Sequence, residues 1–230
     1  MSGFRSGCRQ ARSRRRRCPD GAETTSSMAL DWSAAWRDLG LPAPPARVLD
    51  ELVRGWAEPH RRYHTLQHLR ECLAMFERER ALAERPGEVA IALWFHDAVY
   101  DTSRHDNEGM SADWAERVLR DGGAAVEVGA RVHALILATR HDEVPASADA
   151  RLLVDLDLAV LGAAAARFDE YERQIREEYA FVPETLFRAK RGEILRGFLE
   201  RPRLFATPEM SARLEAPARA NLARALASLA

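Results

Sequence analysis

The stretch AIALWFHDAVYD, Ala90 to Asp101, constrains this chain more than any other. Apolar residues cover every side of it, so a helix built from it has to be buried all round rather than half-exposed. A fold that contains it must wrap other elements around it. Yet His96 and Asp97 sit within it. An unpaired carboxylate in such a place costs several kcal/mol or neutralises itself, so Asp97 needs a strong partner. A divalent cation is the partner that satisfies both side chains together. Adjacent helical residues point about 100° apart, and a metal lying between the two directions is within reach of imidazole and carboxylate.

The remaining sequence reads as helix almost throughout. Asp31 is placed to cap a short helix carrying Trp32, Ala35, Trp36 and Leu39, which Gly40 ends. After the Pro42, Pro44 and Pro45 cluster a second helix carries Val48, Leu49, Leu52, Val53 and Trp56. Thr65 is the expected N-cap of a long helix reaching residue 84, and Pro86 opens the central one. Further helices are expected over 107–120, closed by Gly122 and Gly123, and over 126–139 and 150–161, the last stopped by Gly162. Three more follow over 164–179, 183–199 and 208–229. No alternating strand pattern and no internal repeat emerges, so the expected fold class is all-α.

A length of 230 residues suits one domain with a full core plus a tail. Residues 1–27 carry the run RQARSRRRR (Arg9 to Arg17) among Ser, Gly and Pro, with almost no apolar residues, and are expected to be disordered. Three readings of this tail stand: a nucleic-acid-binding or addressing segment, an organellar transit peptide, or sequence upstream of a true start at Met28. The last is preferred because the periodic sequence begins just after Met28. Without the tail the chain, 28–230, is distinctly acidic, which makes nucleic acid an unlikely partner. Only Cys72 lies outside the tail, which excludes a disulfide framework and fits a reducing, cytoplasmic setting. No apolar run approaches about 18 residues, so no membrane span is expected.

The chemistry-bearing candidates in chain order are His64 and His68, the His96–Asp97 doublet, His141, and Asp155 or Asp157. Asp155 and Asp157 both sit on the apolar segment LLVDLDLAVLG, where a bare carboxylate again needs a reason. Residues two apart on a helix point to nearly opposite sides, so only one of the two can face a shared ion. His68, His96, Asp97 and Asp157 come from three helices. Two imidazoles and two carboxylates form a mixed donor set of intermediate hardness that suits Mn, Fe, Co, Ni or Zn better than Ca and leaves positions open for water.

The order H…HD…D resembles the HD superfamily of metal-dependent phosphohydrolases. RRYHTLQHL, ALWFHDAVYD, DNEGMSA, the TRH segment, LLVDLDLAVLG, YERQIREEY and the ending from Ala218 to Leu222 are together similar to one subgroup, whose members are described as predicted metal-dependent HD phosphohydrolases. The likeness runs in order from Asp31 to the C-terminus. It implies an HD-domain helical bundle with additional C-terminal helices. It implies His68, His96, Asp97 and Asp157 as ligands of a divalent metal ion (Mn, Fe, Co, Ni, Zn or Mg), with Asp157 preferred over Asp155 by the family's spacing. It further implies hydrolysis of a small phosphorylated substrate, a nucleotide among the candidates, by a metal-activated water.

In that scheme Asp97 is expected to orient the water, and Arg62 and His64 to serve catalysis and substrate together. His141, Asn107 and Glu108 are expected on the substrate side. His133 is expected to be a core histidine bonded to a carbonyl, and His60 and His105 to be surface residues. Two other classes stay open: a non-catalytic, nucleotide-sensing HD module, and a di-iron oxidative enzyme on a related helical fold, which would need more histidine ligands. No motif reports an oligomeric state.

Overall fold

The computed structural model describes residues 21–42, 44–142 and 145–229. Ten α-helices occur among them and no strand, as the periodicity requires: α1 (Gly21–Asp38), α2 (Ala46–Trp56), α3 (Leu66–Glu79), α4 (Pro86–Phe95), α5 (Asn107–Asp121), α6 (Val126–Leu137), α7 (Ala148–Asp157), α8 (Ala165–Glu178), α9 (Glu184–Glu200) and α10 (Pro208–Ser228). Short 3-10 turns extend α3, α6 and α7. The arginine run at 9–17 lies outside the described residues. Residues 21–27, assigned to the tail from sequence, form the opening of α1 instead.

α4 is the axis of the bundle. Every residue from Gly87 to Phe95 is buried, and α1, α3, α5, α6 and α7 pack around it. The one ionisable residue within its span, Glu88, is matched by a forked bond from Arg131 of α6 (Nε to Oε2 2.8 Å, Nη2 to Oε1 2.6 Å). Trp56 of α2 donates its indole N–H to the Trp94 carbonyl at 3.0 Å, so α2 is pinned against the same axis.

Two boundaries differ from the sequence reading, each for a physical reason. Asp31 is inside α1 rather than capping it, because the buried stripe Trp32, Ala35 and Trp36 continues one turn upstream to the buried Met28. The helix ends at the expected place: Gly40 takes φ +71°, and the Leu41 amide reaches back to the Trp36 carbonyl at 3.0 Å. α4 ends at Phe95, so the His96–Asp97 doublet sits at the C-terminus of the buried helix and not in its middle.

That end is held by Arg61, which is 2% exposed. Its Nη1 donates to the Asp97 carbonyl at 2.6 Å and its Nη2 to the Ala98 carbonyl at 3.1 Å. Helix-terminal carbonyls lack partners within the helix and carry the negative end of its dipole, so a buried guanidinium is well matched to them.

The C-terminal helices build a second part of the core from Leu161, Phe168, Leu195, Phe205, Leu214 and Leu222. α10 lies across the Leu158–Gly162 turn, where Asn221 donates to the carbonyls of Leu161 and Ala163 at 2.9 Å each. No helix among the described residues is long and apolar enough to cross a membrane.

Candidate metal centre

Three segments converge at the end of α4: α3, the His96–Asp97 doublet and α7. Thr65 caps α3, its hydroxyl accepting from the Gln67 amide at 3.3 Å, and this sets His68 inside the first turn with 2% exposure. His96, 1% exposed, donates from Nδ1 to the Leu93 carbonyl at 2.8 Å and so turns Nε2 toward His68. Fixing one ring nitrogen on a backbone carbonyl is how proteins orient a ligating imidazole. The two Nε2 atoms are 3.2 Å apart. Asp157, the last residue of α7, brings Oδ1 to 3.1 Å from His68 Nε2 and 3.6 Å from His96 Nε2. Asp97 brings Oδ2 to 3.3 Å from His96 and 3.9 Å from His68.

The sequence-expected set of His68, His96, Asp97 and Asp157 is therefore gathered in one place. These separations suit a cation: donors on tetrahedral bonds of about 2.1 Å stand roughly 3.4 Å apart. Nitrogen and oxygen donors aimed at one another from three helices fit a divalent ion of intermediate hardness.

Asp155 has a different task. Its Oδ1 accepts from the Ala206 amide at 2.8 Å, and its Oδ2 accepts from the Thr207 amide at 2.7 Å and the Thr207 hydroxyl at 2.6 Å. It is fully buried and anchors the entry to α10. Asp157 is the one that faces the cluster.

Charge within the cluster is arranged in pairs. Burial acts to raise the carboxyls of Asp97 and Asp157. The facing imidazoles outweigh it and hold both below the usual carboxylate range, His96 acting on Asp97, and His141, His68 and His96 on Asp157. Burial pulls His96 the other way, yet Asp97 and Asp157 lift it well above the ordinary imidazole value.

His141 and His64 flank the cluster. His141 Nε2 lies 3.0 Å from Asp157 Oδ2. Its backbone takes φ +58°, a left-handed conformation that a non-glycine residue adopts only where the surroundings impose it. Arg201 holds its carbonyl at 3.1 Å, and its Nδ1 is buried without a partner. His64 lies one turn before His68, with ring centroids 6.0 Å apart, and stacks on Tyr100 at 4.2 Å.

The partner of His64 is Glu178, at the end of α8, which the sequence did not single out within YERQIREEY. Glu178 Oε1 accepts from His64 Nδ1 at 2.6 Å and from the Tyr100 hydroxyl at 2.7 Å. Its Oε2 accepts from the backbone amides of Arg62, Tyr63 and His64 at 2.8, 3.0 and 3.2 Å. Burial acts to raise this carboxyl, but those bonds, led by His64, bring it down to about 2.

Other expected residues are not brought to the cluster. The Arg62 guanidinium is exposed and folds onto the Pro59 carbonyl at 2.8 Å, while its neighbour Arg61 is the buried one. Alternation within HRRYH left no way to choose between them. Asn107 braces the loop after the doublet, exchanging bonds with the Asp101 backbone (3.1 and 2.9 Å), and Glu108 faces Arg140 at 3.9 Å. His133 is paired with the Asp113 carboxylate at 3.1 Å on the α5–α6 surface, not with a core carbonyl, and Glu116 joins that group. His105 is exposed, and His60 bonds the Tyr100 carbonyl at 2.8 Å from an exposed position.

The fold and the site together define an all-helical bundle with a buried cluster of histidine and carboxylate donors at the C-terminal end of its central helix. Compared with protein-family models, with curated proteins and with solved structures, the chain gives no significant match in any of the three.

Proposed function

We propose that the chain is a metal-dependent phosphohydrolase of the HD type, acting on a small phosphate ester in a cytoplasmic setting. The observation that carries this reading is the convergence of His68 Nε2, His96 Nε2 and Asp157 Oδ1 from three separate helices to within 3.1–3.6 Å.

His68, His96, Asp157 and Asp97 would hold the cation. Bound there, a divalent ion supplies an acidified water near neutral pH and positive charge for a phosphoryl oxygen. Asp97, with Oδ2 turned to the imidazoles, would keep its second oxygen to orient a water beside the cation. Arg61 fixes the backbone from which Asp97 projects.

His64 has Nδ1 committed to Glu178, which leaves Nε2 as the nitrogen able to donate to a leaving alkoxide. Burial acts to lower its pKa, but the Glu178 carboxylate, with Asp97 and Asp157, prevails and raises it above the ordinary value, which favours the proton-donating form. His141, across Asp157, adds charge compensation for the phosphoryl group.

The test is metal analysis of the purified chain, followed by a phosphate-release screen over mononucleotides, cyclic nucleotides and non-nucleotide esters. Release that is abolished by chelation, restored by a divalent ion and lost in Asp97→Ala is the expected result. Release that survives complete removal of metal would overturn the reading.

A further inference from the structure

Cys72 lies one helical turn beyond His68 on α3, is 2% exposed, and has no place in the ligand set expected from sequence. Its Sγ stands 3.8 Å from His68 Nε2. With His68, His96 and Asp157 it forms a set whose donor atoms all lie within 4.8 Å of one another. A zinc–sulfur bond is about 0.2–0.3 Å longer than a zinc–nitrogen bond, so a thiolate belongs slightly farther from its fellow donors than they are from each other. The nitrogen and oxygen spacings are 3.1, 3.2 and 3.6 Å, and Sγ lies 3.7 Å from His68 Nδ1 and 3.8 Å from His68 Nε2. Sγ also lies 3.7 Å from the Leu156 carbonyl, one residue before Asp157.

We propose that Cys72 is a further protein donor to the metal centre, its Sγ joining the nitrogens of His68 and His96 and the carboxylates of Asp157 and Asp97. The inference rests on the metal-centre reading and deepens it. On binding, the thiol proton passes to solvent and a sulfur–metal bond forms, with no change of oxidation state. A thiolate shifts the preference of the site toward zinc or cobalt(II) and away from magnesium and manganese.

The test uses the full chain carrying His133→Ala, which removes the exposed α5–α6 donor group, loaded with one equivalent of zinc and measured by X-ray absorption. A sulfur scatterer at about 2.3 Å is expected, and it should vanish in the Cys72→Ser form of the same chain. Zinc affinity of that form should fall by roughly 10- to 100-fold or more, the range for loss of even an outer partner, with manganese affinity little changed. Zinc held by nitrogen and oxygen alone, or a sulfur scatterer that persists in Cys72→Ser, would overturn the role of Cys72 while leaving the centre standing. Failure to bind zinc or any other divalent ion would instead overturn the centre itself. With Cys8 and Cys18 replaced by Ser in the same chain, Cys72 is the sole thiol, and that spectrum decides the question even where the Cys72→Ser form folds poorly.

Discussion

Two carboxylates on one turn of α7 carry opposite duties, and their replacement should separate cleanly. Asp155→Ala strips acceptors from two backbone amides and one hydroxyl. That should cost about 3–5 kcal/mol of stability, read by denaturant unfolding, with zinc stoichiometry unchanged. Asp157→Asn should do the reverse, releasing the metal while the fold persists. Metal loss in a folded Asp155→Ala would reverse the assignment. Glu178 supplies a third test at this scale. Its carboxyl is held at about 2 against an ordinary 4.5, so it contributes stability that is present above pH 4.5 and lost as pH falls toward 2. A shift of that size is worth roughly 3 kcal/mol, and Glu178→Gln should flatten this acid limb of the unfolding midpoint. His64, raised above 6.5, contributes in the other direction: its share is present below pH 6.5 and fades as pH rises through its higher folded value. That Asp97, Asp155 and Asp157 each need a partner was legible in the sequence, because carboxylates on apolar segments demand one. Glu178 and Arg61 were not, since a Glu or Arg in a charged run looks solvated until a distant backbone turns toward it.

Among the elements, the buried character of α4 could be read directly, and so could nearly every helix boundary after residue 40, because Gly, Pro and Thr mark them. The start of α1 could not be read, because Asp31 offered a plausible cap and the stripe upstream of it is short. The position of the doublet was also misplaced: apolar periodicity does not reveal that the helix stops at Phe95 and that a buried arginine holds the turn after it, at Asp97 and Ala98. A close approach between elements accounts for Gly162. A β-carbon there would lie 2.7 Å from Leu214 Cβ and 2.9 Å from the Leu214 carbonyl oxygen, so α10 rests directly on the turn after α7. Gly162→Ala should cost roughly 1–3 kcal/mol by overpacking, and a variant as stable as the parent would contradict this docking.

At the scale of the whole molecule, the cluster joins the first helices of the bundle to α7 and, through Glu178, to the end of α8. An ion that binds only the folded chain stabilises it by about 2.7 kcal/mol at one hundred times its dissociation constant. For a chain of this size chelation should then lower the thermal midpoint by roughly 5–10 °C, measured by calorimetry with and without chelator. The back-to-back placement of Asp155 and Asp157 has a further consequence. One rigid turn grips the donor cluster on one side and the amides of Ala206 and Thr207 on the other. Any tug on the inner carboxylate is transmitted to those two amide protons. Their deuterium uptake should slow when the site fills, making a remote loop a built-in gauge of occupancy that needs no label and no substrate.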